Sequence, residues 1–347
     1  MNAKTLIIIA SFLSTPAHAQ GFAGLGTTAD GFAVPDPNTQ LTFPKDHGAH
    51  PDFRIEWWYL TATLKDEQQN PYGVQWTLFR LATSTDDGKG WNTPHIWMGH
   101  AAATSETDHV FAERIARGGI GQAGVESAPF SAWIDHWQLA ESKETGTYSL
   151  HASSAGFSYD LKLLETGPLV LQGQDGYSIK SADGQASHYY SQPHFDAKGH
   201  IQFGDKRIPV QGNAWYDREW SSQPLSADQT GWDWFSLRFD TGAKLMGFVL
   251  RGEKENFTSG TWISPSGEPT PLAPGAFIAQ PLHIHDVQGR TIPTHWQVEL
   301  PEKDLSVEVK ALNPNAWMGT NFSYWEGPVT VTGSHNGAGY LEMTGYE

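Results

Sequence analysis

A chain of 347 residues exceeds the size at which one hydrophobic core keeps growing, so two domains are the default. With 38 acidic against 22 basic side chains the formal charge is −16, which makes nucleic acid and anionic lipid poor partners. There is no cysteine, so no disulfide framework is available and stability must come from buried apolar area; 15 Trp, 17 Phe and 11 Tyr point either to an aromatic-lined ligand cavity or to large β cores that use rings to fill space.

The first residues carry one positive charge at Lys4, an apolar stretch from Leu6 to Leu13, and Ala17-His18-Ala19 before Gln20. This pattern predicts a secretory signal peptide over residues 1–19 and a periplasmic or secreted mature protein. The stretch is far shorter than the roughly 20 residues that span a bilayer, and no later segment approaches that length, so no membrane span is expected. Cleavage removes Lys4 and no acid, which leaves a formal charge of −17.

From there the chain alternates with period two. Glu56 to Leu64 and Tyr72 to Arg80 read as a hairpin around a turn at Asp66 to Asn70. Strands are predicted at Trp97 to Thr104, Phe157 to Leu164, Gly176 to Lys180, His188 to Phe195, Lys206 to Trp215, Trp232 to Phe239, Lys244 to Arg251, Phe257 to Ile263, His295 to Leu300, Val307 to Ala311 and Gly339 to Thr344. Ala112 to Arg117 is the one short helix expected, and the Gly118 to Gly124 run reads as a loop. With 36 Gly and 21 Pro between short strands, the fold class is all-β, antiparallel, as barrels or sandwiches. A boundary is placed after Ser221, giving units 20–221 and 222–347.

Trp215-Tyr216-Asp217-Arg218-Glu219-Trp220 is the densest chemical run. A carboxylate among rings loses hydration, which raises its pKa and keeps it protonated near neutral pH, the state a general acid must hold. On a strand, Tyr216, Arg218 and Trp220 take one face and Trp215, Asp217 and Glu219 the other. The alternative is structural, with Arg218 paired to Asp217 or Glu219 to tie the strand to a neighbour. In Glu56-Trp57-Trp58-Tyr59, Glu56 again abuts rings and shares a face with Trp58; alternatively Glu56 anchors an arginine while a Trp plugs a barrel end. His188 and Tyr190 share a strand face and can relay a proton, or simply pack. His283 and His285 share a face too, but no third ligand can be named and no metal site is assigned. There is no Gly-x-Ser-x-Gly, and no phosphate-binding Lys-Ser/Thr ends the Gly-rich run, which argues against a nucleophile elbow and nucleotide binding.

The Glu56-Trp57-Trp58-Tyr59, Gly176-Tyr177-Ser178, His188-Tyr189-Tyr190-Ser191, Trp215 to Trp220, Tyr324-Trp325-Glu326-Gly327-Pro328-Val329 and Gly339 to Tyr346 segments together resemble the AttH-like, carotenoid 1,2-hydratase (hydroxyneurosporene synthase) family. The resemblance spans nearly the whole mature chain. It implies two tandem lipocalin-like (calycin) β-barrels with a ligand site near their junction, and a hydrophobic small-molecule ligand, isoprenoid or acyl. In the carotenoid hydratases an acid protonates an alkene and water captures the cation, with no cofactor. Carried onto this chain, the resemblance implies Asp217 as proton donor, His188 as water-orienting base, and Tyr190, Trp215 and Tyr216 as rings around the cation. Glu56 is the second candidate acid, and Trp58, Arg218, Trp220 and Trp234 are candidate ligand contacts. The secreted branch is also linked with hydrolase labels and export-transporter association, so a carrier and a secreted hydrolase stand as alternatives.

Overall fold

The computed structural model describes residues 24–86 and 88–346. The expected signal peptide at 1–19 lies outside the described residues. Among these there is no α-helix, only short 3₁₀ turns such as Lys45–His47, Gly90–Asn92 and Pro301–Lys303.

Thirteen strands form the first sheet. They are β1 (Ile55–Lys65), β2 (Pro71–Ala82), β3 (His95–Thr104), β4 (His109–Arg117), β5 (Ala123–Ser127), β6 (Phe130–Ile134) and β7 (Trp137–Glu141). There follow β8 (Tyr148–Ser154), β9 (Phe157–Glu165), β10 (Val170–Leu171), β11 (Tyr177–Ile179), β12 (Ala186–Phe203) and β13 (Lys206–Ser221). The order β4-β3-β2-β1-β13-β12-β9-β8-β7-β6-β5 is antiparallel throughout, and β10 and β11 pair with β12. The sheet curls so that β4 comes back onto the β6–β7 turn: Arg114 of β4 pairs with Asp135 at 2.9 Å, and its guanidinium sits 4.6 Å from the Trp137 ring at the start of β7.

The second sheet has ten strands. They are β14 (Gln229–Phe239), β15 (Lys244–Gly252), β16 (Phe257–Ile263), β17 (Pro269–Pro271) and β18 (Ile278–Val287), then β19 (Arg290–Leu300), β20 (Leu305–Ala311), β21 (Trp317–Met318), β22 (Tyr324–Gly333) and β23 (Gly337–Thr344). Their order is β17-β16-β15-β14-β23-β22-β20-β19-β18, with β21 on β22. The architecture is thus two tandem lipocalin-like antiparallel barrels.

Ala112 to Arg117, expected as a helix, belongs to β4. It pairs along its whole length with β3, from Ala101↔Ala112 to Ile96↔Arg117, and the ladder outweighs a six-residue local preference. The short strands β5 to β7 were not among the predicted elements; each spans five residues, too few for a clear period.

Alternation sorts the side chains into three large cores and a small fourth cluster of Ala102, Met318 and Tyr324. Trp58, Leu60 and Ala62 of β1 fill the first barrel with Trp76, Leu78, Tyr190, Tyr216 and Trp220. Phe235, Leu237, Trp296 and Leu341 help to fill the second. The third core is shared: Ile55, Tyr59, Tyr189 and Trp215 from the first sheet pack against Trp234, Met246, Phe248 and Tyr340 from the second. One face of β1, β12 and β13 therefore serves one barrel, and the other face serves the seam between two.

Candidate active site

That seam encloses a cavity of about 590 Å³, within the range of small-molecule sites. Its apolar walls come from both barrels: Trp57, Tyr59, Phe79 and Met98 on one side, Trp232, Trp234, Phe248 and Leu250 on the other. Ile96, Ile115 and Phe322 also line it and are exposed, forming an apolar rim.

Asp217 lines this cavity and is only 2% exposed. Strand pleat puts it there: Ser191 lies directly across β12–β13 from Asp217, and Tyr189 lies across from Glu219, so all four side chains share the seam face. Oδ1 accepts three hydrogen bonds, from the Tyr189 hydroxyl at 2.8 Å, from Trp215 Nε1 at 3.0 Å, and from the Ser191 hydroxyl. Trp234 Nε1 in turn donates to the Tyr189 oxygen at 3.3 Å. Oδ2 is buried with no hydrogen-bond partner among the described residues. Burial pushes the Asp217 carboxyl up to about 7; the three donors oppose that rise and the Glu219 charge adds to it. With Oδ1 occupied as an acceptor, the proton of the neutral acid belongs on Oδ2.

Beside it, Lys180 pairs with Glu219 at 2.9 Å, its ammonium 3.8 Å from the Phe248 ring centroid and 4.9 Å from that of Tyr189. Both residues line the cavity. Burial lowers the Lys180 pKa, against the pull of Glu219. On the facing wall Glu342 accepts a hydrogen bond from Trp232 Nε1 at 2.7 Å, and burial pushes its carboxyl up to about 7. Further along, His100 Nδ1 and the Tyr324 hydroxyl are 2.9 Å apart, and His100 Nε2 lies 3.1 Å from Glu113 Oε1. The carboxylate fixes the ring's orientation, and burial lowers the His100 pKa, so it stays neutral near pH 7.

Of the residues singled out in sequence, Asp217, Trp215 and Trp234 meet at this site. The others do not, which corrects the expectation that they surround Asp217. Glu56, Trp58, Tyr190, Tyr216, Arg218 and Trp220 occupy the opposite strand faces, inside the first barrel. Glu56 is fully buried between Arg80 and Arg218; burial alone would raise its pKa, but the two guanidinia outweigh that and hold the carboxyl well below its usual range. It is an ionised anchor with no proton to give. Arg218 is spent on Glu56 and on the Gly48 carbonyl at 2.7 Å, stacked 3.9 Å over Trp58 and 4.8 Å from Trp220. The Tyr190 hydroxyl lies 2.6 Å from His47 Nδ1, and the Tyr216 ring packs edge-on against Phe130. His188 packs against Trp220, Phe53 and Tyr177, away from Asp217, and burial lowers its pKa to about 4. His283 and His285 lie on strand β18 at the sheet's edge, ring centroids 4.5 Å apart.

Tyr189, Ser191, Lys180, Glu219, Glu342 and His100 were missed as site residues. The signal for Tyr189 and Ser191 was present in the His188 to Ser191 run, but choosing that face over the one carrying His188 and Tyr190 requires the β12–β13 register, which no single strand displays.

Comparison with known proteins agrees with this architecture. The AttH-like family model matches residues 34–346. The structure is similar to that of an AttH protein from Nitrosomonas europaea, with a TM-score of 0.81 and 31% identity over 91% of this chain and 99% of that one. It shares its fold with kievitone hydratase from Nectria haematococca, with a TM-score of 0.63 and 13% identity over 90% and 98% of the two chains. Among curated proteins it is similar to the dehydratase asqC of Emericella nidulans, 24% identical over 214 residues. That match covers 55% of this chain and 58% of asqC, so the chain spans little more than half the length of that relative. From the span of the family match and the AttH likeness, the chain belongs to the AttH-like family.

Proposed function

We propose that the protein is a cofactor-independent lyase of the hydratase–dehydratase type, acting on an apolar, isoprenoid or acyl ligand held in the junctional cavity. The observation that carries this reading is Asp217, a residue of the apolar cavity's wall whose Oδ1 is held by three donors and whose Oδ2 has no hydrogen-bond partner among the described residues. A neutral carboxylic acid in that setting gives its proton to an alkene carbon, and its carboxylate takes that proton back in the reverse direction. The rings of Tyr59, Trp57 and Trp234 line the cavity; a desolvated cation over the face of a ring gains about 2 kcal/mol, so protonation has to supply most of the rate. A hydratase and a dehydratase among the similar proteins support the reaction type. Export through a cleaved leader at 1–19 places the reaction in the periplasm or outside the cell, and N-terminal sequencing of the mature protein tests that placement.

The deciding experiment uses lipid released from protein purified from its own periplasm, returned to fresh protein in H₂¹⁸O and followed by mass. Asp217→Asn should keep the ligand and lose turnover by about 10²-fold or more. Retention by the wild type with no chemical change would make the protein a carrier, including one that serves an export system. Two fragments from one ligand would make it a hydrolase.

A further inference from the structure

The cavity has two walls, and the first-barrel wall carries Asp217. Glu342 projects from β23 on the other. In the β14–β23 register it lies across from Trp234, whose indole reaches the Tyr189 hydroxyl that holds Asp217. One Glu342 oxygen, Oε1, is fixed by Trp232 Nε1 at 2.7 Å, and the side chain opens onto the cavity. The charged and titratable groups around it are Asp217, Glu219, Lys180 and Tyr59 from the first barrel and Glu326 and Tyr324 from the second. Glu219 is committed to Lys180. Glu326 accepts the Tyr59 hydroxyl, and burial raises its pKa well above the usual carboxylate range. Of the second barrel's carboxyls, Glu342 is the one that lines the cavity.

We propose that Glu342 is the second catalytic carboxyl of the cavity, standing across the bound ligand from Asp217 and taking the proton of the attacking water. This rests on the lyase reading above. The alkene π pair forms a C–H bond to the Asp217 Oδ2 proton, leaving a carboxylate there and a cation on the more substituted carbon. A water oxygen lone pair forms the C–O bond while Glu342 accepts one of its protons. The products are the alcohol, ionised Asp217 and neutral Glu342, and return of that proton to Asp217 through water resets the site. The sum is alkene plus water to alcohol. In dehydration the same steps run backwards. The assignment agrees with burial holding both carboxyls near 7, where one neutral and one ionised acid coexist as the reaction needs.

The test needs no knowledge of the natural ligand. N,N-dimethyldecylamine, protonated at pH 8, mimics the tertiary cation on an alkyl tail, and decan-1-ol is its uncharged control. Both are measured by displacement of N-phenyl-1-naphthylamine from the full-length protein. Wild type should prefer the ammonium by on the order of tenfold or more, and Glu342→Gln should erase most of that preference while leaving decanol affinity within about twofold. Asp217→Asn should do the same independently. An unchanged preference in Glu342→Gln, with loss in Asp217→Asn, would overturn the proposal and leave the lyase reading standing. Loss in Glu342→Gln alone would instead count against Asp217, and no binding of any probe to wild type would overturn both. Should Glu342→Gln fail to fold, Trp232→Phe removes the donor that fixes Glu342 and should lower the preference severalfold; no change there would also overturn the proposal.

Discussion

Asp217 shows how one side chain couples the folded state to pH. Burial raises its carboxyl to about 7, above the unfolded aspartate value of about 3.9, so folding takes up a proton. Its contribution to stability is therefore fully present below about pH 4 and is lost as the pH rises through about 7. Asparagine keeps the shape and the neutral state at every pH. The stability of Asp217→Asn minus that of wild type should then grow between pH 5 and pH 8, by about 1–4 kcal/mol. Urea unfolding of both proteins at the two pH values measures it, and the subtraction cancels the other buried acids, Glu326 and Glu342, apart from the latter's coupling to Asp217. A difference that does not change with pH would mean that Asp217 is ionised in the folded protein across the whole range, and the general-acid role would go with it.

At the scale of strands, the same residue types take opposite roles according to pleat. Glu56 on β1 sits between Arg80 on β2 and Arg218 on β13, and so ties three adjacent strands from inside the first barrel. Arg80 also donates to the Phe53 carbonyl at 2.7 Å and the His50 carbonyl at 2.9 Å, which pins the entry segment over the barrel end. Removing the charge leaves two buried guanidinia uncompensated, so Glu56→Gln should cost about 3–5 kcal/mol. The urea midpoint of the variant checks this, and probe affinity at the cavity should be unchanged in the folded fraction because Glu56 faces away from it. Much of this was legible in the sequence. Period-two patterning located the β1–β2 hairpin and most of the long strands, and it separated Asp217 from Arg218 correctly. Pairing was not legible: whether Asp217 would find Tyr189 or Tyr190 depends on register, and whether Glu56 would meet an arginine or a ligand depends on Arg80, 24 residues away. The β4 segment was misread for the same reason, since its partner β3 decided its conformation.

At the scale of the molecule the seam is the functional organ, because neither barrel alone encloses the cavity. The barrels are joined by the shared apolar core and by hydrogen bonds that cross it: the Tyr59 hydroxyl donates to Glu326, Trp234 Nε1 to the Tyr189 oxygen, and Asn321 Nδ2 to Glu113 at 2.8 Å. Two complete inner cores would allow two separate unfolding events, whereas the shared third core couples them. Gly73 marks how close the contact is. A Cβ built there would stand 2.6 Å from both Pro328 Cγ and the Tyr340 hydroxyl of the second barrel, and Pro328 and Tyr340 are cross-strand partners, braced by the β22–β23 ladder. Gly73→Val should therefore push the barrels apart at a cost of about 1–3 kcal/mol, all of it in the seam, because the inner cores of both barrels are untouched. The expected signature is specific: wild type melts in one transition by tryptophan fluorescence and far-ultraviolet circular dichroism alike, and the variant splits into two, with N-phenyl-1-naphthylamine released in the first. A variant that still melts once and keeps the probe to its midpoint would show that the barrels cohere without this contact, and the cavity would then owe its shape to each barrel's own rigidity.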